Sequence, residues 1–311
     1  MNKTVSTPST RTDLYQVVTD QIIAALEAGT PPWVCPWQRG EVDPNPANLS
    51  TGRGYRGINV LLLNLQSQIR GYRVNRWLTY TQAQSLGGTI RRGEHGTAIV
   101  FFKMHEIGNS DSYVAPAAPP TERTTIPLLR SFTVFNLDQV DGLDDQYLPT
   151  PAPYALWESI DAAERLIKLS GATVREGGDR AFYQPTNDFI QLPPRGRFTT
   201  ASDYYATALH ELAHWTGHES RCNRILGKRQ GIEPYAFEER VAEMGSAFLT
   251  NHCRITGKMQ HASYIDSWLH ALRNDRRLIF TAASQAQRAA DFLLPKHVVD
   301  PEPETAVLMA A

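Results

Sequence analysis

The segment His210-Glu211-Leu212-Ala213-His214 brings together residue types that bind a metal ion and transfer protons. Its two histidines are four residues apart, so on a helix both imidazoles project from one face and can bind a single zinc ion. Glu211 stands beside that position, where its carboxylate can take a proton from water and later return it. The segment therefore predicts a hydrolytic zinc site; the alternative is a surface helix with accidental His and Glu spacing.

A catalytic zinc ion needs a third protein ligand and an open fourth position. The third histidine that one class of zinc peptidases has six residues later is a serine here. Glu239 and Glu243 are four residues apart on a second predicted helix, at about 234–250, so one can bind zinc while the other accepts the N–H of a ligating histidine. We predict Glu239 as the ligand and Glu243 as the orienting carboxylate. Glu238 and His218 are the competing ligands, and a solvated acidic helix face is the alternative.

The first third of the chain predicts a different kind of site. Residues 1–110 carry an excess of four positive charges, which leaves an excess of five negative charges on the rest. Arginines that neutralise phosphates and aromatic rings that stack on bases together bind single-stranded nucleic acid. The alternative is that the tryptophans are core and the arginines a solvated face. The residues assigned to DNA binding are Trp33, Trp37, Arg53, Tyr55, Arg56, Arg73, Arg76, Trp77, Arg91 and Arg92.

The composition narrows the class of protein. The chain has 311 residues, which favours two domains. Its three cysteines lie far apart, so they predict neither a disulfide framework nor a CxxC zinc site. The N-terminal residues lack the apolar core of a secretory signal, and no apolar run reaches the roughly 20 residues of a membrane helix. We therefore expect a cytoplasmic protein with no membrane partner.

The HExxH segment must lie on a helix, and the residues around it support one. Thr200 and Asp203 resemble a capping box that opens this helix, and Gly217 ends it. Apolar periodicity predicts further helices at 13–28, 59–67, 81–84, 154–169, 261–273 and 281–293. Runs of β-branched and aromatic residues predict strands at 97–103, 130–137, 173–175 and 188–192.

These elements predict an α+β fold of two domains. The proline cluster at 148–153 is the predicted linker. Residues 1–147 would form an α+β domain that binds single-stranded DNA. Residues 154–296 would form a mostly helical, zincin-like metallopeptidase domain with a small sheet, and residues 297–311 a flexible tail.

The sequence as a whole resembles the ArdC antirestriction family of mobile elements. The motifs that carry the resemblance are DLYQVVTDQIIAALEAGTPPW, TGRGYRGIN, RWLTYTQA and GGTIRRGEHGT in the first half, and YQPTNDFIQLPPRGRF, YYATALHELAHWTGHESRCNR and YAFEERVAEMGSAFL in the second. The resemblance implies an N-terminal single-stranded-DNA-binding domain, a zincin-like metallopeptidase domain, and protection of incoming conjugative DNA from host restriction.

Two functions remain open from the sequence. The first is a zinc-dependent, gluzincin-like endopeptidase with one Zn²⁺ per chain and an unidentified protein substrate, for which the host restriction system is a candidate source. Its oxyanion donor would be Tyr204, Tyr205 or Tyr235, and its substrate would lie along an edge strand at Asp188–Leu192. The second is a non-proteolytic protein that coats single-stranded DNA and has a structural or vestigial zinc site. The intact Glu211 favours the first, because a structural zinc site does not need that carboxylate.

Overall fold

The computed structural model describes residues 13–28, 45–106, 125–144, 147, 156–224, 232–255 and 262–294. It has the predicted α+β architecture, in which a sheet-containing N-terminal part is followed by a mostly helical part with a small sheet. No helix within these ranges is long and apolar enough to span a membrane.

The N-terminal part is built on a four-stranded sheet with the strand order β1-β2-β5-β4, beside a two-stranded sheet of β3 and β6. Its elements are α1 (Leu14–Glu27), β1 (Ala47–Asn48), α2 (Ile58–Arg70), β2 (Arg76–Leu78), α3 (Tyr80–Ser85), β3 (Thr89–Ile90), β4 (Thr97–Glu106), β5 (Thr125–Asn136) and β6 (Val140–Asp141).

Strands β4 and β5 form a long hairpin, paired antiparallel from Thr97 opposite Val134 to Glu106 opposite Thr125. The neighbours Ile99 and Val100 point to opposite faces of β4 and are both almost fully buried, so apolar residues cover both faces at this point. On β4 and β5 the rings of Phe101 and Phe132 meet edge to face, with centroids 5.4 Å apart. The β-branched and aromatic composition therefore predicted these two strands correctly, although both are longer than expected.

Within its described residues the C-terminal part contains five α-helices and a three-stranded sheet, and α5 packs against that sheet. Strand β9 is central, parallel to β7 and antiparallel to β8, so the expectation of an edge strand at Asp188–Leu192 is wrong and the edges are β7 and β8. The elements are α4 (Leu156–Ser170), β7 (Thr173–Glu176), β8 (Phe182–Gln184), β9 (Phe189–Leu192), α5 (Ala201–Trp215), α6 (Ile232–His252), α7 (Ala262–Asn274) and α8 (Leu278–Leu293).

Helix α1 packs against α7 and α8 of the C-terminal part as well as against its own half. The ring of Tyr15 meets that of Phe280 with centroids 4.8 Å apart, and Thr19 Oγ1 donates a 2.7 Å hydrogen bond to the carbonyl oxygen of Arg276. Buried side chains of α1, α2, α5, α6 and α8 belong to one continuous apolar core. The two halves of the chain thus share a core, and the domain bounds inferred from the linker remain a prediction.

Candidate metal centre

Helix α5 holds the HExxH segment rigidly. Thr200 caps its N-terminus by accepting a hydrogen bond from the backbone N–H of Asp203, as the sequence predicted. Leu209 and Leu212 have no exposed surface, so the helix is anchored on one side by the core. His210 and His214 lie on the opposite stripe, with ring centroids 4.8 Å apart. This spacing follows from the four-residue separation on a helix.

Helix α6 comes close enough to α5 to bring a carboxylate to these histidines. Gly245 faces Ala213 at the crossing, and a Cβ on this glycine would lie 3.3 Å from the Ala213 Cβ. Ser246 Oγ donates a 3.3 Å hydrogen bond to the carbonyl oxygen of Ala206 on α5. Small residues at the contact therefore permit the short distance between the helices, as ridge-and-groove packing requires.

Three side chains meet at this crossing. The Nε2 atoms of His210 and His214 lie 3.6 and 3.5 Å from the two carboxylate oxygens of Glu239. One ligand atom from each of these residues can be chosen so that all lie within 4.8 Å of one another. Ligands at 2.0–2.2 Å from a tetrahedral ion are about 3.4 Å apart, so the two His–Glu separations fit one divalent ion. His218 is not part of this cluster, and its Nδ1 pairs with Ser220 Oγ at 2.8 Å.

A buried ion pair between Arg224 and Glu238 contacts the His214 ring at Nδ1, the nitrogen that does not face Glu239. Glu238 Oε1 lies 3.3 Å from His214 Nδ1, and the guanidinium of Arg224 binds both oxygens of the same carboxylate at 2.8 and 3.0 Å. Arg224 also donates to the carbonyl oxygen of Ala213 and to Thr216 Oγ1, so it ties the carboxylate to the end of α5. Both charged side chains are 5% exposed.

The prediction that Glu243 orients a histidine is therefore not what the structure shows. Its Oε2 accepts a 2.9 Å hydrogen bond from Nε1 of Trp268 on α7, and Glu238 occupies the place beside His214. Glu243 lies one helical turn, about 6 Å, further along α6 than Glu239 and there meets Trp268, whereas Glu238, next to Glu239 in the chain, meets His214. His210 Nδ1 is buried and has no hydrogen-bond partner among the described residues.

The surroundings of the cluster shift the pKa of each group differently: they favour a charged Glu238 and a basic His214, and they raise the pKa of Glu211. Burial alone would lower the pKa of His214, but hydrogen bonds to Glu238 and Glu239 outweigh it and raise that pKa to about 9. Burial pushes the pKa of Glu238 upward, yet its bonds to His214 and Arg224 bring it below the ordinary value. Burial raises the pKa of the Glu211 carboxyl, which makes this carboxylate a stronger base.

The strand β8 lies beside the catalytic candidate. Burial raises the pKa of the Glu211 carboxyl, and the backbone of Tyr183 on this strand is close enough to oppose that rise. The Tyr183 hydroxyl donates to Asp188 at 2.8 Å, and Asp188 in turn is bound by both terminal nitrogens of Arg221. The Arg221 guanidinium lies 3.7 Å from the Trp215 ring centroid. This network, which the sequence did not reveal, fixes the edge of the small sheet to the end of α5.

Tyrosines expected to stabilise an oxyanion have other partners. The hydroxyl of Tyr204 donates to Glu176 at 3.0 Å, and that of Tyr205 donates to Glu164 at 2.6 Å. Burial and these carboxylates raise the pKa of Tyr204 to about 12. Tyr235 has a side chain that lies outside the described residues.

The predicted DNA-binding residues fall into three groups. Trp77 is fully buried and donates from Nε1 to Asn75, so its assignment to DNA contact is wrong because the core takes the ring. Trp33 and Trp37 lie outside the described residues. The other assigned residues are exposed or partly buried, and three of the arginines form ion pairs: Arg56 with Asp291, Arg73 with Asp138, and Arg91 with Glu94 and Asp141. Arg76 donates hydrogen bonds to two backbone carbonyl oxygens. Arg53, near the half-buried Tyr55, and Arg92, between β3 and β4, are exposed.

Comparisons with known proteins match both halves of the chain. Residues 12–135 match the family model of the N-terminal domain of anti-restriction factor ArdC. Residues 161–285 match that of a zincin-like metallopeptidase. Two crystal structures of the antirestriction ArdC protein from plasmid R388, one metal-free and one Mn(II)-bound, are 44% identical in sequence, with TM-scores of 0.75 and 0.73. The alignments cover 91% of this chain and 97% of those chains.

Curated relatives include longer proteins. Two DNA primases TraC from Escherichia coli are each 41% identical over 90% of this chain, which spans only 20% and 27% of their lengths. The uncharacterized protein y4eC of Sinorhizobium fredii is 40% identical over 92% of this chain and 93% of its own length. The match to this last relative and to the two crystal structures is therefore nearly end to end.

Proposed function

The chain belongs to the ArdC family of antirestriction proteins, and on this premise we propose that it is a zinc-dependent metalloendopeptidase that binds single-stranded DNA and protects incoming DNA from host restriction. The observation that carries the peptidase is the meeting of His210, His214 and Glu239 beside Glu211. We propose one Zn²⁺ per chain as the ion, because two imidazoles and one carboxylate with an open position form the ligand set of catalytic zinc.

The residues divide the work as follows. A bound zinc ion supplies Lewis acidity, which polarises the scissile carbonyl and makes nearby water more acidic. Glu211, which is buried beside the two histidines, takes the proton from the attacking water and delivers it to the leaving amine. Glu238, fixed by Arg224, keeps His214 in the orientation that points Nε2 to the ion.

The substrate is proposed to be an extended peptide segment that pairs with β8. This strand is an edge of the sheet, antiparallel to β9, and its Tyr183 contacts Glu211 through the backbone. An edge strand offers unpaired N–H and C=O groups on which a peptide can add as a further strand. A protein of the host restriction system is the candidate substrate, and the cytoplasm, where DNA enters, is the proposed location.

The test compares Glu211→Gln with Glu239→Gln in the full chain. Glu211→Gln should retain its metal, measured by elemental analysis, and lose peptide hydrolysis, because only proton transfer is removed. Glu239→Gln should lose the metal as well. Both variants should bind a single-stranded oligonucleotide as the unmodified protein does. Metal loss in Glu211→Gln, or hydrolysis that persists in it, would contradict the proposed division of work.

The second candidate is a DNA-coating protein whose metal site is structural. One observation favours it: Tyr204 and Tyr205, two of the three expected oxyanion donors, hydrogen-bond to carboxylates elsewhere. Under this alternative Glu211→Gln would keep full protection from restriction in a conjugation assay. Loss of protection with intact DNA binding would instead support the peptidase.

A further inference from the structure

A groove lies between the two halves of the chain, and none of its lining residues belongs to α5 or α6, the helices that carry the metal ligands. Its volume is about 980 Å³, at the upper end of the roughly 300–1,000 Å³ of small-molecule sites. One wall is the hairpin of β4 and β5 with the loop 51–57, and the other is a face of α8. The groove is therefore not part of the predicted peptidase site.

The α8 wall is a single helix face. Phe280, Ser284, Gln287, Arg288 and Asp291 line the groove, at spacings of three, four or one residue, which is one stripe of a helix. Ser284 and Arg288 are exposed, so this stripe is available to a ligand. Three of these residues lie beyond residue 285, where the match to the metallopeptidase family ends.

The chemistry of the lining suits nucleotides. Arg53, Arg56 and Arg288 oppose a single lining carboxylate, that of Asp291, so the groove carries an excess of two positive charges. Its aromatic side chains are those of Tyr55, Tyr80, Phe101, Phe132 and Phe280, and the Tyr80 side chain is exposed although it is large and apolar. Rings that stack on bases beside arginines that contact phosphates are the two components of a single-strand binding site.

The backbone of the opposite wall is also open. A Cβ on Gly57 would meet no atom within 4 Å, and one on Gly54 would meet only a carbonyl oxygen at 4.0 Å. Gly57 has a φ of +55°, a conformation that side chains disfavour. A ligand chain can therefore approach this loop without a side chain in between.

Two polar contacts cross the groove and connect its walls. Arg56 forms an ion pair with Asp291, and the backbone N–H of Gly57 donates a 2.9 Å hydrogen bond to the side-chain oxygen of Gln287. A phosphate placed here would compete with the Asp291 carboxylate for the Arg56 guanidinium. The carboxylate therefore opposes an anionic ligand.

We propose that this groove is the site that takes unstacked nucleotides of single-stranded DNA, with bases against the aromatic rings and phosphates at Arg53, Arg56 and Arg288. The inference rests on the proposed DNA binding and goes further, because it makes α8 of the peptidase half one wall of the DNA site. Asp291 then weakens binding by holding Arg56. Duplex DNA is excluded, since its bases cannot enter the groove unstacked.

The experiment measures how tightly the full chain binds a fluorescent oligo-dT of about 16 nucleotides, a length at the upper end of the site sizes known for a single OB fold. Ser284→Trp, which fills the groove from an exposed position, should weaken binding about tenfold or more, in keeping with the loss of one or two stacked bases. Leu169→Trp on α4, another exposed helix position, should leave it unchanged. Arg288→Ala should weaken binding and reduce the salt slope by about 0.7, whereas Arg165→Ala should do neither.

Asp291→Asn provides a test that misfolding cannot imitate. It should tighten binding several-fold, because Arg56 is released and a negative charge is removed from the groove. Unchanged affinity in Ser284→Trp, Arg288→Ala and Asp291→Asn, while the unmodified chain binds oligo-dT, would overturn the groove and leave the proposed DNA binding standing. No binding by the unmodified chain would overturn both. Equal losses in Ser284→Trp and Leu169→Trp would also overturn the groove.

Discussion

Removing the charge of Glu238 tests whether the buried ion pair holds the metal site in shape. Glu238→Gln keeps the size of the side chain but leaves the Arg224 guanidinium, 5% exposed, without its anionic partner. Breaking a buried pair by removing one member costs about 3–5 kcal/mol, because the remaining charge stays desolvated. Disturbing the group that orients a metal-bound histidine reduces metal affinity about 10- to 100-fold. We expect both effects in this variant.

A surface ion pair of the same protein supplies the matched control. Arg273 and Glu27 lie 2.6 Å apart, but both are about half exposed. Such pairs contribute about 0–1 kcal/mol, so Glu27→Gln should change neither stability nor metal affinity appreciably. Urea unfolding of the metal-free protein and zinc titration against a competing chelator measure the two quantities separately.

The double variant Arg224→Met with Glu238→Gln separates charge from shape. Because it removes both charges, it should recover much of the stability that Glu238→Gln alone loses, while the weak metal binding persists. If Glu238→Gln unfolds like Glu27→Gln and binds zinc like the unmodified protein, the ion pair is not what positions His214. That result would refute the reasoning.

Three further predictions follow from the described contacts. The bonds from Arg221 hold the pKa of Asp188 below its ordinary value, so its ion pair stabilises the fold above pH about 4 and is lost as the pH falls through the lower folded pKa. Asp188→Asn should therefore be less stable at neutral pH in thermal unfolding, and the difference should disappear in acid. The metal must displace a proton from His214, whose pKa is about 9 without it, so calorimetry should show proton release and an affinity that rises with pH up to that value. Gly245→Leu should force α5 and α6 apart at Ala213 and abolish metal binding, measured by elemental analysis, whereas Ser284→Leu on the exposed face of α8 should not.

The features of the fold that depend on neighbouring residues could be predicted from the sequence. The HExxH helix with its Thr200 cap, the β4–β5 hairpin and the two-part α+β architecture all follow from periodicity and capping, which neighbouring residues determine. Short strands such as β1, β3 and β6, each of two residues, carry too little pattern to predict.

The partners of the metal ligands could not be predicted from the sequence, because they depend on how α5 and α6 are rotated and positioned against each other. Glu238 and Glu243 both satisfy the pattern of a carboxylate near Glu239, and only the crossing of α5 and α6 places Glu238 at His214 and turns Glu243 to Trp268. The role of Arg224 as the partner of Glu238 could not be predicted, because Arg224 lies ten residues after His214 and beyond the end of the α5 helix. Trp77 was misassigned because the residues that bury it, Leu63, Ile99 and Val134, come from separate elements of the chain.

The packing of α1 on α7 and α8 has a consequence for synthesis on the ribosome. Thr19 and Arg276 are 257 residues apart, so α1 cannot make this contact until the segment between them has been synthesised. Contacts this distant in sequence slow folding, because the intervening loop must be closed before they form. The apolar face of α1, including Ile22 and Leu26, therefore stays without these partners for most of the time that residues 13–294 are being synthesised.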